Sequence, residues 1–353
     1  MRARRSPRTE GGVGPVALNL LSRFGLPLFL LVLLVFFSLE RPGSFPTADN
    51  LRAIVDDQSV IIVAALGVTL TLIVGEFDLS VASTLTLANT LVVGLPERQG
   101  LPVWLSIVLA ILAATLVGLA NGLIVTRLRV NAFVATLGMA TFLTGMAQLY
   151  TGGSDLVEAP EALTSLARSE VIGIPLSMIY ALTIAVVVYV VLRHLTVGRR
   201  MLAVGGNARA AALTGIPTER YRVGAFMAGG LLAGVAGVIL GARLGSATVA
   251  GNADLLLPIF AAALLGSTTI TPGRYNVGGL VIAVFFLAIT VSGLQQMGVA
   301  AWVQPAFNGI ALIAAVAISG WAARARIAHA RRQQLEAIAG ARAAAPEPSS
   351  LPV

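Results

Sequence analysis

Ten apolar runs follow one another between residues 24 and 321, and they constrain this chain more than any other feature. A helix needs about 20 apolar residues to cross about 30 Å of hydrocarbon. Read with that ruler, the first five spans are Phe24 to Leu39, Ser59 to Val74, Leu79 to Leu95, Val103 to Val125 and Ala132 to Tyr150. The next five are Pro175 to Leu192, Val223 to Leu244, Leu255 to Ile270, Val277 to Met297 and Trp302 to Trp321. Composition agrees: 57% of residues are hydrophobic and 11% charged, against about 25% charged in a soluble domain. Lipid is the solvent that such a chain needs. The expected fold is an all-α polytopic membrane protein of about ten transmembrane helices.

The basic start MRARRSPRTE is followed by an apolar run with no small-residue cleavage site, and Glu40-Arg41-Pro42 closes it. The run reads as an uncleaved first span rather than a signal peptide. An even span count puts both termini on one side, and arginine decides which. With the N-terminus inside, 19 of the 24 basic residues fall on inner segments; Arg41, Arg52, Arg98, Arg168 and Arg243 fall outside. That bias makes both termini cytoplasmic. Three regions follow: a basic N-terminal segment over 1–22, a transmembrane domain over 23–322, and a basic, then disordered, tail over 323–353.

Several chemistries are excluded. The chain has no cysteine and only His194 and His329, so thiol chemistry, disulfides and a histidine metal cluster are absent. Every basic residue is arginine. Without lysine there is no phosphate anchor of the P-loop kind. No cofactor is expected on this chain, and any ATP must be bound by a partner subunit. No serine has a histidine partner in a loop, and no carboxylate pair sits in an enclosed aqueous site, so the chain does not read as an enzyme. The net charge of +8 sits largely beside the spans, as the positive-inside rule expects, and does not point to nucleic acid.

Two spans end in breaks, Gly75-Glu76-Phe77-Asp78 after the second and the Gly- and Pro-containing 266–273 after the eighth. Interrupted spans at corresponding places in two halves mark transport pathways, and the two halves here are faintly repeated. Glu76 and Asp78 are acids within a hydrophobic stretch. A charge at membrane depth is costly and calls for water or a donor. Asp78 reads equally as a helix cap shared with Ser80 and as part of a solute path, and the two are compatible. Glu76 reads as exposed on an inner loop. Asn121, Asn89 and Gln148 are candidates for hydrogen bonds between helices, and Gly229, Gly230, Gly234, Gly237 and Gly241 for close helix packing. No buried arginine is available to clamp an anionic solute.

The inner segment 195–222 contains a short Ala-rich run that Asn207 can cap and Gly215 can end. A two-turn helix of small residues held between two spans suits a groove in a cytoplasmic partner.

Three stretches carry a resemblance: GEFDLSVAS at 75–83, NGLIVTRLRVNAFVATLGM at 121–139 and GRRMLAVGGNARAAALTGI at 198–216. They resemble, in order and spacing, motifs of the permease subunits of ribose-type bacterial sugar ABC importers, over residues 20 to 322. The resemblance implies a homo- or heterodimer of permease subunits, two cytoplasmic ATP-binding subunits and an extracytoplasmic solute-binding protein, in the bacterial inner membrane. It implies a substrate pathway near Glu76, Asp78, Ser80, Asn121, Phe133 and Thr136, and an ATPase-coupling segment carrying Gly205, Asn207, Arg209, Ala211, Leu213 and Gly215. Asn131 and Ala82 stand where that family has proline and glycine, and GSTTITPGRYNVGG at 266–279 departs from its usual pattern. Autoinducer, nucleoside and polyol substrates therefore stay open beside sugars. The alternative is a proton-coupled secondary transporter with Glu76 or Asp78 as carrier, which would not need the 195–222 segment.

Overall fold

The computed structural model describes residues 13–248, 252–300, 302–317 and 320. The expected N-terminal basic segment, the end of the last span and the C-terminal tail lie wholly or partly outside the described residues.

The described residues are helical almost throughout. In order come α1 (Val13–Glu40), α2 (Ala48–Ile73), α3 (Val81–Gln99), α4 (Val103–Thr126), α5 (Ala132–Thr151), α6 (Glu161–Arg168) and α7 (Leu176–His194). Then follow α8 (Thr196–Gly206), α9 (Ala208–Leu213), α10 (Thr218–Leu244), α11 (Leu256–Gly266) and α12 (Val277–Gln296). A last described helix, α13, covers Val303–Ala317. Strands β1 (Glu170–Val171) and β2 (Ile174–Pro175) form a minimal antiparallel hairpin between α6 and α7. Helices α2, α4, α5, α7, α10 and α12 are long and apolar enough to cross a membrane; Phe24–Glu40, Ala253–Gly266 and Val303–Ala317 are shorter apolar helices. In hydrocarbon every backbone N–H and C=O must be satisfied inside the segment, which a helix does.

Burial separates centre from periphery. The most apolar window of α2 is 67% buried and that of α10 61%, against 22% for α4 and α5. The centre is therefore α2 and α10, with α3 between them and the outer helices. α3 is the least apolar of the long inner helices, with Thr84, Thr86, Asn89 and Thr90 all buried. Its neighbours shield it from lipid, so it can carry polar groups that a lipid-facing helix could not.

The α10 glycines hold the centre together by close approach. A Cβ on Gly230 would overlap the Ala114 carbonyl oxygen of α4 and lie 3.0 Å from Gly118; one on Gly237 would overlap the Leu85 carbonyl oxygen of α3. Small residues let helix backbones touch where lipid offers no hydrophobic drive. We expect Gly230→Val to force α4 and α10 apart. Overpacking of this kind costs about 1–3 kcal/mol or more, so the detergent-solubilised protein should unfold at a lower temperature. An unchanged melting profile would contradict the packing role.

Several boundaries differ from the hydropathy reading. The second span was expected from Ser59, but α2 starts at Ala48, where the Thr47 hydroxyl oxygen accepts the Asn50 N–H at 3.3 Å. Asp56 and Asp57 stop an apolar run without stopping the helix, and both are paired to Arg243. The eighth span was expected to reach Ile270, but α11 ends at Gly266, where the Ser267 and Thr268 hydroxyls bond back to the Leu264 and Leu265 carbonyls at 2.7 Å. Helices α6 and α8 were not anticipated within the long connections they occupy. Neither has an unbroken apolar run.

Candidate functional site

The first break joins α2 to α3. Gly75 turns the chain at φ +86°, a left-handed conformation that glycine adopts without strain. Asp78 follows, 5% exposed, and Ser80, Asn121 and Thr136 are fully buried. The Ser80 N–H and hydroxyl both donate to Asp78 Oδ1, at 3.0 and 2.6 Å. Asn121 Nδ2 of α4 donates to Ser80 Oγ at 2.8 Å. Beside them the Leu79 N–H donates to Thr136 Oγ1 of α5 at 3.0 Å, and the Thr136 hydroxyl donates to the Ala132 carbonyl at 2.8 Å. One buried string of polar groups thus ties the break to α3, α4 and α5. A carboxylate taken out of water needs such donors.

The expected cap takes a different form. Asp78 accepts the N–H of Ser80, which precedes the helix, and Ser80, at the N-cap of α3, makes no side-chain cap bond. The hydroxyl is used instead to bridge Asp78 and Asn121. Asn121 forms the expected bond between helices, whereas Gln148 lies exposed on α5. Asn131 is the N-cap of α5: its Oδ1 accepts the Phe133 N–H at 2.9 Å, so the departure from proline leaves that helix start capped. Ala82 is 2% exposed and packs within the core.

Of the six residues expected along the pathway, Asp78, Ser80, Asn121 and Thr136 come together. Phe133 sits on α5, 53% exposed, one turn before Thr136. Glu76 departs from the expectation of an exposed loop residue. Its side chain is 12% exposed and forms an ion pair with Arg222 in the first turns of α10. Phe77, between the two acids, is 46% exposed and stacks on Phe260 of α11 at 6.4 Å between ring centroids. Gly138, Thr141, Gly145 and Gln148 are also exposed, and their spacing of three and four residues puts them on one face of α5. That spacing was readable in the sequence as a small and polar stripe along an apolar helix.

The second break is closed more tightly. Asn276 caps α12, accepting the Gly279 N–H at 2.7 Å, and its Nδ2 donates to the Gly266 and Thr269 carbonyls at 3.2 and 3.1 Å.

The 195–222 segment folds as two helices. Asn207 Oδ1 accepts the Ala210 N–H at 3.0 Å and so caps α9, and Gly215 follows it at φ +83°. Both match the sequence reading. The expected coupling residues divide by direction. Ala211 is 5% exposed and faces the bundle, Leu213 is 86% exposed, and Asn207, Arg209 and Gly215 are also exposed. Gly205, at the end of α8, presses on the end of α2.

The other end of the bundle carries a charged cluster. Arg243 of α10 donates from Nε to Asp56 Oδ2 at 2.7 Å and from Nη2 to Asp57, while the Ser177 hydroxyl of α7 donates to Asp56 Oδ1. The Arg243 side chain is 10% exposed. The Arg243 side chain is thus largely enclosed, although the residue as a whole is only partly buried. It is held by two carboxylates and is not free to clamp an anion. Nothing local in sequence marks it, since its partners lie on other helices. Among the described residues no three His, Cys, Asp or Glu side chains group as metal ligands.

The family described as branched-chain amino acid transport system / permease component matches residues 51–316. The chain is 31% identical to the ribose import permease protein of Bacillus subtilis, covering 84% of this chain and 92% of that protein. It is 30% identical to the L-arabinose ABC transporter permease protein of Azospirillum brasilense, over 89% of this chain and 93% of the relative. It is 28% identical to the xylose/arabinose import permease protein of Sulfolobus acidocaldarius, over 94% and 92%. No solved structure matches the chain.

Proposed function

The chain belongs to the branched-chain amino acid transport system / permease component family, and from that premise we propose that it is the membrane-spanning subunit of an ATP-binding-cassette importer for a sugar or sugar-like solute. One observation carries the reading: the likeness to a ribose import permease runs over 84% of this chain and 92% of the relative. The family description mentions amino acids, but the relatives above are named for ribose, arabinose and xylose. A neutral, hydroxyl-rich solute also suits the exposed Thr141, Thr144 and Gln148 of α5 and a bundle whose most enclosed ion-paired arginine, Arg243, is already held by two acids.

In this reading α1, α2, α3, α4, α5, α7, α10, α11, α12 and α13 are the ten spans. Both termini, α8, α9 and the first break face the cytoplasm, and the Arg243 cluster faces outward. ATP is bound and hydrolysed by cytoplasmic partner subunits, since this chain has no lysine for a P-loop anchor. A solute-binding protein delivers cargo to the outer face. Two permease subunits meet around the pathway, with the polar face of α5, Phe133 and the break at Asp78 along its wall. The assembly sits in the bacterial inner membrane.

The test is uptake by proteoliposomes holding the permease, its ATP-binding subunits and its binding protein. Labelled ribose, arabinose and xylose are offered in turn. Uptake should require ATP inside, stop with vanadate and ignore an imposed pH gradient. Uptake that follows the pH gradient without ATP would replace this reading with a proton-coupled transporter.

A further inference from the structure

Helix α8 and the start of α10 meet the first break at two separate points. At the first, the α8 backbone at Gly205 rests on the end of α2. A Cβ there would overlap the Ile73 carbonyl oxygen and lie 2.9 Å from its carbon and 3.4 Å from the Val74 Cα. Backbone lies against backbone, with no flexible side chain between to absorb a displacement. At the second, Arg222 holds Glu76, inside the break itself. The two points are joined to each other, because Arg200 of α8 donates to the Tyr221 hydroxyl oxygen at 3.0 Å.

What lies beyond these points differs in stiffness. Gly75 sits between Ile73 and Glu76 at φ +86°, and a Cβ on it would meet nothing within 4 Å. On the far side, Asp78, Ser80 and Leu79 are fixed to α3, α4 and α5 by buried hydrogen bonds. A close-packed contact transmits displacement, and the Gly75 and Glu76 N–H groups donate back to the Leu72 and Thr71 carbonyls at 3.1 and 3.0 Å, so Glu76 is tied to the end of α2. The two gripped points, Ile73 and Glu76, therefore stand on either side of Gly75, and the part that the core grips begins at Asp78.

We infer that Gly205 and the Glu76–Arg222 pair are positioning residues that carry movement of α8 and α9 into the break. Glu76 then acts as a strut at the mouth of the path rather than as a group that touches solute. This inference rests on the importer reading. An ordinary surface ion pair contributes little. Here the Glu76 side chain is 12% exposed and its partner belongs to the helix that follows the coupling segment, which is why the pair can work as a link.

The chain has no cysteine, so Phe77→Cys creates a single thiol in the break, at a position that is 46% exposed. The full complex is purified with its ATP-binding subunits, and maleimide labelling of that thiol is timed with and without ATP and vanadate. In the otherwise unaltered chain the nucleotide should change the rate at least about fivefold, the lower end of ordinary site-to-site coupling. Gly205→Ala and Arg222→Gln should each abolish the change while the ATP-binding subunits still co-elute. Exchanging the charges, Glu76→Arg with Arg222→Glu, should restore a response that neither single change shows. If Gly205→Ala does not fold, Arg222→Gln and the charge exchange decide alone. A nucleotide response that survives Arg222→Gln, or is absent from the unaltered chain while the partner co-elutes, overturns the inference. No co-eluting partner at all would overturn the importer reading first.

Discussion

Leu213→Asp should strip the ATP-binding partner from the purified chain and leave the bundle folded. Leu213 ends α9 and is 86% exposed, whereas Ala211, two residues earlier, is 5% exposed and faces inward. Both belong to the segment expected to dock on the partner, but only Leu213 presents apolar surface to it. Burying a leucine is worth about 1.5–3 kcal/mol, and each 1.4 kcal/mol is about tenfold in affinity. Its loss, with a carboxylate added that would need desolvation, predicts at least a tenfold weaker complex. Co-elution in mild detergent measures this, with monodispersity of the permease as the control for folding. Retained partner at unchanged stoichiometry would remove α9 from the interface. Ala211→Glu is a poorer probe: it would push a carboxylate against the bundle, and partner loss would then follow from a misplaced helix.

Asp78 offers the second large effect, and two substitutions divide its possible roles. Asp78→Asn keeps a side-chain oxygen that can accept the Ser80 N–H and hydroxyl, now at 3.0 and 2.6 Å. Asp78→Ala removes it and strands donors beside a fully buried Ser80. A buried donor left unmet costs about 1–3 kcal/mol. Sugar uptake by the whole transporter should therefore stay within a few-fold for Asn and fall about tenfold or more for Ala. If Asn abolishes uptake as completely as Ala while the partner still co-elutes, the charge itself is needed, and Asp78 carries a proton rather than a hydrogen-bond network.

The local elements were legible to different degrees. The start of α9 follows from Asn207 and its end from Gly215, because capping and left-handed turns depend on a few adjacent residues. The interruptions at 75–78 and 266–273 follow from glycine and polar side chains in apolar runs. The length of α2 does not. Hydropathy stops at Asp56 and Asp57, yet the helix continues to its Thr47 cap, and both acids pair with Arg243, 187 and 186 positions away along the chain. α8 and α6 escaped because short helices between spans carry no 20-residue apolar signature.

The candidate site divides in the same way. Asp78 stood out as an acid in an apolar stretch, and charge in lipid demands an explanation. Its partners could not be read from the chain, since Asn121 lies 41 residues from Ser80 and Thr136 57 residues from Leu79. Glu76 stood out for the same reason as Asp78 and has a different situation, since Arg222 meets it from another helix.

The sequence by itself determined the solvent of this chain, its helical character, the places where its spans break and the capped helix at Asn207. These are properties of contiguous residues: the transfer cost of an apolar run, the reach of a cap, the freedom of a glycine. Only the tertiary structure decided that α3 could be polar because it is enclosed, that Ala211 faces in and Leu213 out, and that Arg222 is the partner of Glu76 and Arg243 that of Asp56 and Asp57. Those outcomes depend on which helices are neighbours. In a bundle packed through small residues, adjacency is set by the close approaches at Gly118, Gly230 and Gly237, contacts between positions far apart along the chain.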